Sequence, residues 1–125
     1  MLARNLVLDK AWASVTQLAQ RLAAVPGLQA AELLWWGGLG AYQLQQHATA
    51  LALWQQILTF APKTDPYYAR AAVWAARSAE ALERFDLVRR LRQQATQDPF
   101  SFYGLLAQQL LGRTPQVNWQ TPSIN

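Results

Sequence analysis

Apolar residues recur every three or four positions along most of this chain, and prolines break the pattern at intervals. That alternation of stripe and breaker admits little besides a series of short helices. Residues 4–24 show it first: Leu8, Trp12, Val15, Leu18, Leu22 and Val25 fall on one helical stripe. Pro26-Gly27 closes this segment, because proline cannot continue a helix and glycine accepts the left-handed turn. A second helix is expected over 28–46 and a third over 49–61, followed by a loop holding Pro62, Lys63, Thr64 and Asp65. Asp65 suits an N-cap with Pro66 at the first helical position, opening a fourth helix that runs to Arg84. The fifth covers 86–97, where Val88, Leu91 and Ala95 are spaced three and four apart. Asp98-Pro99 repeats the Asp-Pro opening, or Ser101 supplies the cap, for a sixth helix ending near Gly112. Composition agrees, since 22 Ala, 20 Leu and 15 Gln stand against only eight Val and Ile in 125 residues. Strands draw on β-branched residues, so a β-rich fold is excluded.

An internal repeat shows in the breakers. Pro62 and Pro99, 37 residues apart, each close a helix pair. A shift of 37 sets Gly38 on Ala75, Ala41 on Ser78 and Trp54 on Leu91, so small meets small and large meets large. The layout is similar to the tetratricopeptide repeat, with small residues where helices cross and proline at the end. The expected fold is all-α, with about six helices in hairpins stacked as a short right-handed superhelix. Residues 1–112 form one domain, and 113–125, with Pro115 and Pro122 and little periodicity, read as a linker or truncated tail. Within the second helix, Trp35-Trp36-Gly37-Gly38-Leu39-Gly40 is costly, because each glycine loses about 1 kcal/mol relative to alanine. Close approach of a neighbouring backbone, flanked by two buried tryptophans, would offset that loss. The functional alternative is an aromatic platform for a sugar ring or a base.

Several classes of chemistry lack their parts. With no cysteine there is no disulfide, thiolate nucleophile or cysteine-based zinc site, and a single histidine leaves no dense metal-ligand cluster. No cofactor is expected. No apolar run reaches the roughly 18 residues of a membrane span. Residues 1–10 are too short in apolar length for a secretory signal and lack a small-residue cleavage site. Three Glu and four Asp leave few acids for general acid–base work. His47 reads as an exposed turn residue or helix cap, not as part of a nucleophilic triad. Glu80 and Glu83 share a helix with Arg77 and Arg84, where ion pairs at helical spacing would hold the acids charged.

The basic residues carry more. Arg84, Arg89, Arg90 and Arg92 cluster about the fifth helix, while Arg70, Arg77 and Arg84 recur every seven residues on the fourth. A solvated face is the plain reading. The ligand reading assigns Arg77, Arg89, Arg90 and Arg92 to contact with an anion, for which peptide carboxylates serve as well as phosphate. No aromatic interleaving or nucleic-acid motif is read beside them, so no nucleic-acid partner is expected.

One stretch is more specific. Asp98-Pro99-Phe100-Ser101-Phe102-Tyr103-Gly104-Leu105-Leu106-Ala107, followed by Leu110-Leu111-Gly112, resembles the last part of the α-superhelical region of bacterial soluble lytic transglycosylases. Tyr68 to Arg84, with its Trp74-Ala75-Ala76-Arg77-Ser78-Ala79-Glu80-Ala81-Leu82 core, is similar to the preceding helix of that family. The resemblance covers residues 66–113 well and 28–62 more loosely. It implies structural work for Ser101, Phe102, Tyr103 and Gly104: Gly104 for close backbone approach, with Phe102 and Tyr103 packed on either side. Members cleave peptidoglycan with a lysozyme-like domain after this region, using a Glu followed directly by Ser. Here the three glutamates precede Leu33, Ala81 and Arg84, so that motif is absent. The resemblance thus implies a non-catalytic scaffold portion, excised or belonging to a shortened relative. Its implied partners are peptidoglycan, whose glycan strands it would guide, and an adjoining catalytic domain, in the periplasm. The alternative is a free-standing tetratricopeptide-like adaptor that binds a protein or peptide in its groove.

Overall fold

The computed structural model describes residues 6–25, 30–97 and 102–112. They form six helices and, among the described residues, no strand: α1 (Leu6–Ala23), α2 (Ala31–Gln43), α3 (His47–Phe60), α4 (Pro66–Ala81), α5 (Phe85–Ala95) and α6 (Phe102–Gly112). Each helix packs on the next, so the chain is an all-α stack of helical hairpins. The Pro26-Gly27 stop, the Asp98-Pro99 opening, the Ser101 cap and the tail from 113 lie outside the described residues. Helices α2, α4 and α6 form one row and α1, α3 and α5 the other. In the first row α2 meets α4 and α4 meets α6; in the second α1 meets α3, but the backbones of α3 and α5 do not approach each other closely. The α2/α4/α6 row is therefore the continuous one of the two.

The sequence predicts the start of α4 correctly and the ends of α2 and α4 three residues too late. Asp65 Oδ1 accepts from the Tyr67 N–H at 2.8 Å, with Pro66 in the first turn. At the other end Gln45 and Glu83 both take φ of 60°. The Gln46 N–H then donates to the Ala41 carbonyl and the Gln45 N–H to that of Tyr42. Arg84 to Ala79 and Glu83 to Glu80 repeat the pattern. These bonds satisfy the last helical carbonyls in a left-handed C-cap. Glycine is the usual signal for that cap, and Gln and Glu carry none. The matched caps also correct the repeat, which is 38 residues in structure and not 37. In that register Gly38 matches Ala76, Ala41 matches Ala79 and Leu53 matches Leu91, and all six are buried.

The stripe expected on α1 is displaced. Leu8, Leu18 and Val25 are exposed, and the fully inward positions are Thr16 and Ala19. The cause is the glycine run of α2. Gly37 lies on Ala19, and a Cβ on Gly40 would stand 2.7 Å from both Thr16 Oγ1 and the Trp12 carbonyl. Only small side chains fit between backbones so close. Thr16 Oγ1 completes the contact by donating to the Gly37 carbonyl at 2.8 Å. On the other side Gly38 meets the indole of Trp54, whose ring a Cβ would overlap. Trp35 is buried as expected, but Trp36 is 44% exposed, since its neighbouring position on the helix turns it away from that contact. The main core joins Leu34, Trp35, Leu51, Trp54, Ile57 and Leu91. A second cluster of Ala69, Ala72, Val73, Ala95 and Ala107 holds α6 against α4 and α5.

Candidate functional surfaces

Trp54 is the root of an aromatic group that spreads into the α2/α4/α6 row. Its ring stacks on Trp35 at 5.5 Å between centroids and 26° between planes, and its Nε1 donates to the Trp35 carbonyl at 3.2 Å. Trp74 meets Tyr42 edge-on at 5.4 Å and lies 6.0 Å from Trp54, while Tyr67 lies 6.3 Å from Trp35. Tyr42, Tyr67 and Trp74 are only partly buried, so they carry the group to the surface. Offset and edge-on rings attract through their quadrupoles in addition to their buried area. His47 is not an exposed turn residue: it is the first residue of α3, half-buried and edge-on to Tyr42 at 5.1 Å.

Two arginines sit among these rings. The Arg70 guanidinium lies over Trp35, Tyr67 and Tyr103 at 5.2–5.3 Å, reaching α2, α4 and α6 at once, and its buried Nε has no hydrogen-bond partner. Arg77 lies 4.5 Å over Trp74. Cation–π contact of this kind holds a guanidinium without neutralising it. Tyr67, Arg70, Trp74 and Arg77 thus alternate ring and cation at helical spacing of three, four and three. The sequence carries that interleaving, but the seven-residue spacing of Arg70, Arg77 and Arg84 by itself points only to a solvated basic stripe.

The four arginines predicted to meet an anion are not brought together. Arg77 stacks on Trp74, and Arg90 lies in a shallow groove with Glu83, Arg84, Phe85, Asp86 and Leu87. Arg89 and Arg92 do converge, lining a cleft of about 210 Å³ between α4, α5 and α6 with Glu80, Phe85, Val88, Leu110 and Leu111. The ion pair expected within α4 is replaced by one between helices: Glu80 Oε2 stands 3.6 Å from Arg92 Nη2, with exposures of 53% and 21%. Arg77 prefers the adjacent ring, and α5 brings Arg92 to the carboxylate.

The motif segment has a structural place. Gly104 is buried and Tyr103 is half-buried under Arg70. Phe102 does not pack into the core as expected; it stays exposed, edge-on to Tyr103 at 5.1 Å. Among the described residues no cluster of three or more metal-ligating side chains forms, and no helix is long and apolar enough to cross a membrane. No protein-family model, curated protein or solved structure matches this chain.

Proposed function

We propose that this chain is the non-catalytic superhelical scaffold portion of a peptidoglycan lytic transglycosylase, and that its α2/α4/α6 row guides glycan strands. The observation that carries the reading is the Tyr67-Arg70-Trp74-Arg77 run on α4, partly buried except for the exposed Arg77 and extended by Tyr42 and Tyr103. A partly exposed aromatic surface suits the apolar parts of a sugar, and the two guanidiniums held over the rings suit a carboxylate-bearing strand. The two segments similar to the family also pack on each other, through Tyr103 and Arg70. In this reading the chemistry belongs to a lysozyme-like domain of the parent protein, in the periplasm.

The six tryptophans provide the test. Titration with soluble, uncrosslinked glycan strands should change the indole fluorescence and saturate, and Trp74→Ala should weaken binding about tenfold. No response to glycan would overturn the reading. Equal binding of a single-stranded oligonucleotide with the same loss in Trp74→Ala would replace glycan by nucleic acid.

A further inference from the structure

We propose that the cleft between α4, α5 and α6 is a second binding site, for an acidic peptide. Arg89 and Arg92 take a side-chain carboxylate, and a neighbouring apolar side chain of the same peptide seats among Phe85, Val88, Leu110 and Leu111. The inference does not rest on the glycan reading.

The repeat makes the argument. In the 38-residue register, Leu51 and Trp54 of α3 correspond to Arg89 and Arg92 of α5, and Tyr42 of α2 corresponds to Glu80 of α4. The first unit fills this place with the Tyr42–Trp54 ring pair, 5.9 Å apart, covered by Trp74 of the next helix. The second unit puts a loose ion pair there, and the next helix, α6, leaves a cleft. A position that packs core in one unit thus carries cations at an open, partly apolar surface in the other.

The chemistry selects the occupant. Glu80 offsets one of the two positive charges and leaves an excess, with Arg89 exposed and the buried Arg92 Nε without a hydrogen-bond partner. An incoming carboxylate is the complementary group. The volume lies below the roughly 300 Å³ at which small-molecule pockets begin, so it suits a short part of a longer ligand, its carboxylate and the apolar side chain beside it. Four apolar residues in the lining, with Phe85 62% exposed, favour a peptide over a bare phosphate, which would use none of them.

Fluorescence anisotropy with a fluorescein-labelled peptide of alternating acidic and Leu/Phe residues tests the proposal, beside the same peptide with its acids changed to amides. The acidic peptide should bind saturably, and the amide version about tenfold more weakly or worse. Arg89→Gln should cost about tenfold, as should Arg92→Gln, whereas Arg90→Gln, the same charge change outside the cleft, should cost less than about twofold. Arg89 is exposed, so its variant is read on an intact fold even where Arg92→Gln is not. No binding of the acidic peptide overturns the proposal. So does an equal loss in Arg90→Gln, which would mean diffuse surface charge, or binding that an oligonucleotide displaces as well as the unlabelled peptide.

Discussion

The unit made of α2 and α3 and the unit made of α4 and α5 share their geometry and differ in what faces what. Both first helices, α2 and α4, end in the same left-handed cap, at Gln45 and at Glu83, and both cross their partner at small residues. At the facing pair they part: Tyr42 with Trp54 in one, Glu80 with Arg92 in the other. The difference teaches how such a repeat divides its labour. Caps and small positions hold the backbone, and the facing pair sets whether the unit is a closed core or an open surface. It also explains the glycines. Trp54 fills the crossing so completely that position 38 tolerates no Cβ, while the matching position 76, without a tryptophan opposite, carries alanine.

The largest effect is expected at Gly38. Gly38→Ala should destabilise the chain by about 3 kcal/mol, because the Trp54 ring is stacked and hydrogen-bonded and cannot retreat. Ala76→Gly in the second unit should cost helix propensity and one buried methyl, about 2 kcal/mol together, with no steric clash. Urea midpoints at unchanged slope measure both. In a Trp54→Leu background the cost of Gly38→Ala should fall below about 1 kcal/mol, and an undiminished cost would separate the glycine from the indole. The shared caps come next. Gln45→Gly and Glu83→Gly should each stabilise by up to about 1 kcal/mol, by relieving a left-handed residue with a Cβ, and by similar amounts. A gain at one site alone would show that the units are not equivalent. The smallest effect belongs to the ion pair: Glu80→Gln should change stability by no more than about 0.5 kcal/mol, since the carboxylate is half exposed and the pair is screened.

Much of the fold was legible from period and breakers, because stripe spacing and the Asp65-Pro66 opening are local signals. The helix ends at Gln43 and Ala81 were not, since their caps use residues that do not announce a left-handed turn. Nor was the inward face of α1. Apolar size pointed to Leu8 and Leu18, but close packing on Gly37 and Gly40 selected Thr16 and Ala19. The arginines divide similarly. Arg89 and Arg92 could be picked from their clustering, but Arg70 takes its place from rings on three helices, a juxtaposition that only tertiary packing creates.

The central functional claim is a scaffold that holds peptidoglycan without cutting it, and one experiment addresses both halves. Purified chain is incubated with cell-wall sacculi, and the sedimented protein and the released anhydro-muropeptides are quantified from the same sample. The account predicts retention of the chain on the sacculi, reduced in Trp74→Ala, with no release. Measurable release, or sedimentation no greater than that of an unrelated protein of the same charge, would contradict it.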